Sequence, residues 1–146
     1  MTRYPFHLIN TFAERRLSGN PIVVFTTEEM PDEATRQTLA FQMGVAETAF
    51  IAQTDTHVHV HSPQYALPFS VQAMLATAEA THPNESGLAA QAFKTNSGET
   101  WLLRQGDRWW SQLAAPHTRP SPHSHIEIAA ALGISANDIV DTPLFV

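Results

Sequence analysis

The chain has 146 residues, which is the size of one domain and leaves no room for two large ones. Its 43% hydrophobic and 15% charged residues are typical of a globular protein rather than a disordered one. Eight Lys and Arg against 14 Asp and Glu give a formal net charge of −6, and the basic residues form no run. Nucleic acid is therefore not an expected partner, because phosphate backbones require a basic patch.

The absence of Cys excludes disulfides, thiolate nucleophiles and Cys-based zinc sites. No apolar run approaches the ~20 residues that span a bilayer. The first residues, MTRYPFHLIN, lack the uninterrupted apolar core of a signal peptide. We therefore expect a cytoplasmic protein with no membrane partner, whose chemistry comes from carboxylates, histidines, hydroxyls or backbone dipoles.

The first part of the chain predicts strands around one helix. A helix is predicted from Pro31 to Met43, because Pro and the acidic residues after it suit a first turn and Gly44 suits a left-handed end. Four segments have the composition or alternation of strands, and the first two are expected to pair. These segments are residues 4–10, 22–25, 45–52 and 57–61.

The second part predicts a helix, a β-meander and a second helix. Ser70 can cap a helix that continues through Ala80, and residues 82–87 would close it. Three strands joined by tight turns follow, at residues 88–94, 100–104 and 109–113. A proline-containing linker then leads to a helix from about Ser124 to Gly133, with one further turn after Ser135. The apolar residues 144–146 are expected to pack or pair against something.

Two sets of side chains could serve either structure or binding. His57, His59 and His61 share one face of their strand and could supply two zinc ligands, but no matching His and carboxylate set is evident by spacing. The sequence favours a solvent-facing row over a metal site. The three tryptophans are interpreted as core and edge packing rather than a ligand cage; they are Trp101, Trp109 and Trp110.

Two further features point to a possible site. Glu47 is a lone carboxylate at the start of an apolar strand, where it could act as an acid/base at a pocket mouth or lie in solvent. The sequence Ser70-Val71-Gln72-Ala73 opens a helix, and a helix N-terminus can hold a substrate carboxylate. The alternative for Ser70 is a simple N-cap.

Spaced motifs along nearly the whole chain resemble the N-terminal half of the PhzF-like proteins of phenazine biosynthesis. Later segments also follow the order of this family, namely Gly98-Glu99, Ala115-Pro116 and Ala131-Leu132-Gly133-Ile134-Ser135. The earlier motifs are Tyr4-x-Phe6 with Asn10-x-Phe12, Gly19-Asn20-Pro21-x-x-Val24-Phe25, Gln42-Met43-Gly44-Val45-Ala46-Glu47-Thr48-Ala49-Phe50, and His61-Ser62-Pro63 leading into Leu67-Pro68-Phe69.

The resemblance implies an α+β fold of the diaminopimelate epimerase-like type, in which a curved mixed or antiparallel sheet wraps around a central helix. Family members have two such domains and bind a small carboxylated substrate, such as a dihydro-hydroxyanthranilate, in the cleft between them. Catalysis is by proton transfer without a cofactor or a metal. By resemblance, Glu47 is the catalytic acid/base. The predicted substrate-binding residues are Asn20, which lies in one of the shared motifs, and Ser70, Val71 and Gln72, which open the helix.

The sequence departs from the family pattern in two respects. Val71-Gln72-Ala73 stands where the family has a Gly-His-Pro motif, and the 146 residues are about half of the length expected of a family member. We therefore expect a single N-terminal-type domain over residues 1–146, whose cleft is completed by a homodimer or by a separate chain that supplies the C-terminal half. The alternatives are a non-catalytic small-molecule binding or interaction module, a metal protein that uses the histidines, and an inactive half of a longer enzyme.

Overall fold

The computed structural model describes residues 3–82, 88–113, 115, 118–140 and 144–145. The chain divides into two compact units, Met1–Gln112 and Leu113–Val146. The first unit contains eight strands and two helices within the described residues. These are β1 (Phe6–Thr11), β2 (Asn20–Thr27), α1 (Glu33–Met43), β3 (Glu47–Ala52), β4 (Val58–His61), β5 (Ala66–Leu67), α2 (Val71–Thr81), β6 (Leu88–Thr95), β7 (Gly98–Gln105) and β8 (Arg108–Ser111).

The first unit is built from two sheets. Five strands form a mixed sheet in the order β1-β2-β3-β4-β5, in which β2 and β3 run parallel and the other neighbours run antiparallel. The parallel pair is connected through α1, as a parallel connection requires a crossover. β6, β7 and β8 form the predicted antiparallel meander. The predicted pairing of the first two strands is confirmed.

Helix α2 is the central element of this unit. It contacts β1, β2, β3 and β4 of the mixed sheet and β7 and β8 of the meander. Small side chains allow this close approach, and Ala73, Ala76 and Ala78 are all 0% exposed. The main core joins both sheets to the helix; it includes Ile22, Val24, Ala49, Ile51, Val58, Val60, Met74, Phe93 and Leu102. The predicted α+β architecture, with a sheet packed around a central helix, is confirmed.

Helix α1 covers the opposite face of the mixed sheet. A second core lies there, in which the rings of Phe25 and Phe50 are stacked with centroids 5.0 Å apart. The helix begins at Glu33 rather than at the predicted Pro31, because Asp32 is the N-cap and accepts a hydrogen bond from the Thr35 N–H at 2.7 Å. Its predicted end at Gly44 is confirmed.

The second unit contains short elements. β9 (Thr118–Arg119) pairs antiparallel with β10 (Leu144–Phe145), and α3 (His125–Leu132) precedes a 3-10 turn (Ala136–Asp138). The predicted helix and further turn are confirmed, as is the pairing of the apolar end segment. β9 lies in the proline-containing stretch and is a two-residue edge strand, which agrees with a stretch that cannot sustain a helix or a central strand. Residues 83–87, expected to close α2, lie outside the described residues.

Several boundaries differ from the sequence prediction. β1 begins two residues later than expected, β5 was not predicted because two residues carry no periodic signal, and β8 ends at Ser111 rather than at 113. In the part of the chain that the structure describes, no helix has both the length and the apolar character needed to cross a bilayer.

The histidine row (His57, His59 and His61) does not face solvent as the sequence favoured. α1 crosses this face of β4, and His61 is only 1% exposed. Its Nδ1 lies 2.9 Å from Gln37 Oε1 and its Nε2 accepts a hydrogen bond from Arg36 Nε at 3.3 Å, which describes a neutral imidazole protonated on Nδ1. Among the described residues, no three His, Asp or Glu side chains are grouped to hold a metal ion.

The tryptophan prediction is right for one residue and wrong for two. Trp109 packs against the main core and donates a hydrogen bond from Nε1 to Glu79 Oε2 at 2.9 Å. Trp101 and Trp110 are 53% and 54% exposed. They occupy the outward face of the meander, because strand alternation gives Leu102 the face toward α2.

Candidate active site

The predicted site residues meet at one edge of the mixed sheet. β2 and β3 are parallel, and their register places Glu47, the first residue of β3, beside Ile22. Asn20, the first residue of β2, therefore lies at the same edge. α2 packs on these strands and begins at Val71. Residues separated by up to 52 positions in sequence are thus brought together by one parallel pair and one helix N-terminus.

The Glu47 carboxylate is bonded to the cap of α2. Ser70 Oγ donates a hydrogen bond to Glu47 Oε2 and accepts one from the Ala73 N–H at 3.3 Å. Ser70 is 9% exposed, and Glu47 is half-buried. The first N–H groups of a helix have no intrahelical acceptor and form the positive end of its dipole, so this end of α2 suits a carboxylate.

A second contact joins the start of β2 to the first turn of α2. Asn20 Nδ2 donates to Gln72 Oε1 at 3.1 Å, and both side chains reach the surface. Val71, between Ser70 and Gln72, is half-buried. Two side-chain hydrogen bonds, Ser70 to Glu47 and Asn20 to Gln72, thus connect the start of α2 to the starts of β3 and β2.

The connection between β1 and β2 positions Asn20, a role that the sequence analysis did not assign. Thr11 Oγ1 donates to the Asn20 carbonyl at 3.3 Å across the β1–β2 pair. Gly19 has a φ of +84°, and a Cβ there would lie 2.3 Å from the Thr11 carbonyl oxygen. Two other residues of the connection, Phe12 and Leu17, have positive φ without being glycine. The Gly19-Asn20-Pro21 motif was a signal for this turn, but Thr11 carried none.

A cavity of about 370 Å³ lies at the other end of α2. Its lining includes Asp55, Thr81, His82 and Phe93, and none of the five predicted site residues lines it. Glu47 and the other predicted site residues lie instead at the N-terminal end of α2.

The arrangement supplies the parts of a proton-transfer site. A carboxylate can accept and return a proton, and the free N–H groups at the start of α2 can hold an anionic substrate group. The family model described as phenazine biosynthesis-like protein, PhzC-PhzF, matches residues 9–144 of this chain. The chain belongs to the PhzC-PhzF family.

Curated relatives of this PhzC-PhzF chain are named isomerases. It is 31% identical over 109 residues to the uncharacterized isomerase PM1503 of Pasteurella multocida, covering 71% of this chain and 34% of the relative. It is 31% identical over 145 residues to the trans-2,3-dihydro-3-hydroxyanthranilate isomerase of Pseudomonas chlororaphis, covering 88% of this chain and 49% of the relative. The chain spans between 34% and 52% of the length of the curated relatives that it matches.

Solved structures share the fold of the PhzC-PhzF chain. The predicted epimerase PA4716 of Pseudomonas aeruginosa superposes with a TM-score of 0.78 at 22% identity, covering 99% of this chain and 55% of the other. A PhzF-family protein of Bacillus anthracis gives a TM-score of 0.75 at 18% identity, covering 92% and 48%. The resemblance stated from the sequence motifs is thereby confirmed at the level of family and fold.

Proposed function

We propose that this chain is an isomerase-type protein that transfers a proton on a small carboxylated substrate without a cofactor, with Glu47 as the catalytic acid/base. The observation that carries the proposal is the convergence of Glu47, Ser70 and the first turn of α2 at one sheet edge. The isomerase names of the curated relatives support the same reaction class.

The proposed step is a proton shuttle between two carbons of the substrate. The Glu47 carboxylate takes a proton from one carbon, the double bond shifts, and the resulting carboxylic acid returns the proton to another carbon. No electrons are gained or lost, so the substrate and product are isomers. The substrate carboxylate would be held by the N–H groups of Val71 and Gln72, and Asn20 and Gln72 would flank it through their amides.

We propose that a second copy of the chain completes the cleft around a two-fold axis. The chain spans about half of its solved structural neighbours, and in this proposal the second copy supplies the face opposite Glu47. A separate chain that supplies a C-terminal-type half is the other form of this arrangement. In this proposal residues 1–146 act as one N-terminal-type domain in the cytoplasm, as part of a biosynthetic pathway.

The test is the reaction in deuterated water with trans-2,3-dihydro-3-hydroxyanthranilate, the substrate named for one relative. Product formed by the wild-type chain should carry deuterium at the carbon that receives the proton. Glu47→Gln should lower the rate by roughly 10²- to 10⁴-fold, the usual contribution of general acid–base catalysis. The exposed Glu99→Gln removes the same charge from the meander and should leave the rate unchanged. Equal rates for wild type and Glu47→Gln would refute the proposal.

A second candidate is a non-catalytic small-molecule binding or interaction module. It is favoured by the Gln72 side chain, which is paired with Asn20 at the position where the family motif has histidine. A binding module should give a saturable calorimetric signal with the same compound and no deuterium incorporation. Incorporation that depends on Glu47 would reject this candidate.

A further inference from the structure

We propose that Ser70 is a positioning residue that fixes the Glu47 carboxylate, and that it is not a substrate ligand as the sequence analysis expected. This inference rests on the proposed function of Glu47. It assigns the two carboxylate oxygens different tasks: Oε2 is the anchored oxygen and Oε1 is the one that exchanges a proton with the substrate.

The bonding capacity of the Ser70 hydroxyl is the first argument. A serine hydroxyl has one hydrogen to donate and two lone pairs. The hydrogen is directed to Glu47 Oε2, and one lone pair accepts the Ala73 N–H. A substrate carboxylate needs donors, and Ser70 has no second donor to offer. Its 9% exposure also leaves little of the residue within reach of a ligand.

The rigidity of the two attachment points is the second argument. Glu47 opens β3, whose next three residues are fully buried, and Ser70 caps α2, whose first turn is held in the core by Ala73 and Met74. The hydrogen bond therefore joins two elements whose positions are fixed by the packing of the core rather than by this bond. A glutamate side chain has three rotatable bonds, and anchoring one oxygen removes most of that freedom.

The remaining oxygen of Glu47 is the third argument. Within the described residues, Oε1 has no hydrogen-bond partner, whereas Oε2 is bonded to Ser70. Because Glu47 is half-buried, Oε1 is the oxygen available to a substrate at the sheet edge. Removal of the Ser70 hydroxyl would free both oxygens and let the side chain rotate away from its working position.

Kinetics with trans-2,3-dihydro-3-hydroxyanthranilate distinguish positioning from binding. Ser70→Ala should lower kcat by roughly 10²-fold, the cost of a misplaced reacting group, with KM within about twofold of wild type. Ser70→Thr keeps the hydroxyl and the cap, and it should restore kcat to within about threefold. A raised KM with unchanged kcat in Ser70→Ala would show a substrate ligand instead and overturn the proposal.

A double-mutant cycle tests the Ser70–Glu47 bond without any substrate. Folding equilibrium constants from urea unfolding of wild type, Ser70→Ala, Glu47→Ala and the double variant should show coupling of about tenfold, as expected for a hydrogen bond to a charged group. Asp32→Ala, which removes the cap of α1 in the same unit, should show no coupling to Glu47→Ala. Additive effects of the Ser70 and Glu47 changes would overturn the proposal.

Carbon NMR separates failure of this inference from failure of the proposed function. The Glu47 side-chain carboxyl resonance should shift in Ser70→Ala and stay in place in Asp32→Ala. If the double-mutant cycle shows the coupling and the Glu47 resonance shifts in Ser70→Ala, but the wild-type chain never transfers a proton, then Ser70 positions Glu47 and the assigned reaction is wrong. If it transfers a proton and neither the coupling nor the shift appears, the reaction stands and the role of Ser70 is refuted.

Discussion

Acid should destabilise the first unit through the histidines beneath α1. His59 is half-buried, and burial, with further contributions from Arg36 and His57, lowers its pKa from 6.5 to about 4. The pKa of His61 is lowered in the same direction by burial and by Arg36. Glu33, also on α1, and Asp55 favour the charged forms and only partly oppose these effects.

The direction of the pH dependence of stability follows from which state, folded or unfolded, binds more protons. Between pH 6.5 and pH 4 His59 is protonated in the unfolded chain and neutral in the folded one, so the free energy of unfolding falls as the pH falls through this window. The full shift would correspond to roughly 3 kcal/mol at 1.36 kcal/mol per pKa unit. Because His59 is partly exposed, solvent screening reduces this to about 1 kcal/mol.

Urea unfolding of wild type and His59→Gln at pH 7.5 and pH 4.5 measures this contribution. The loss of stability between the two pH values should be smaller by about 1 kcal/mol in the variant, which has lost one titrating group. His7 is exposed on β1, so His7→Gln should lose as much stability as wild type. An identical loss in His59→Gln and wild type would contradict the burial argument.

Two further predictions concern the packing that supports the site. Phe50 is 0% exposed, so Phe50→Ala should lower the free energy of unfolding by about 3–5 kcal/mol. Phe41 is 71% exposed, so Phe41→Ala should change this free energy by less than about 0.5 kcal/mol. Similar losses for the two variants in thermal or urea unfolding would be inconsistent with the described core. Gly19→Ala should cost more than Gly98→Ala, because both have positive φ, worth about 1–3 kcal/mol of strain, but only at Gly19 does the added Cβ collide with the Thr11 carbonyl. Equal losses of stability in the two variants, measured by urea unfolding, would show that position 19 does not lie so close to the Thr11 carbonyl.

Helix ends and strand alternation could be predicted from the sequence because they depend on local chemistry. Ser70, Gly44 and Ser124 were placed correctly as caps, since each satisfies backbone groups within its own turn. The meander followed from its turn residues and its period of two. These features need no knowledge of what packs on them.

The burial of the histidine row could not be predicted in this way. Alternation correctly assigned Val58 and Val60 to one face and the histidines to the other, but it does not reveal which element covers a face. The path of α1 across β4 buries His61, whereas Trp101, on the outward face of the meander, is 53% exposed. Layer order is a property of the whole unit rather than of any segment.

The five candidate positions could be named from the sequence, but the hydrogen bonds between them could not. Glu47 came from its place at the start of an apolar strand and from the family resemblance, and Asn20 came from a shared motif. The helix-start pattern indicated Ser70, Val71 and Gln72. The parallel register of β2 and β3 then brings these positions to one edge. The pairing of Ser70 with Glu47 and of Asn20 with Gln72 depends on how deeply α2 lies between the sheets, which the sequence does not state.

The fully buried alanines of α2 help to set the distance between Ser70 and the Glu47 carboxylate. Ala76 and Ala78 lie more than one helical turn from Ser70, yet their small volume sets how closely the helix axis approaches both sheets. A larger side chain at either position would force α2 away from the sheet that it faces. The first turn of α2 would then move away from Glu47 at the start of β3. Methyl-sized changes in the core would therefore alter the distance between Ser70 and Glu47, which gives evolution a way to adjust the proposed site while every polar group in it stays in place.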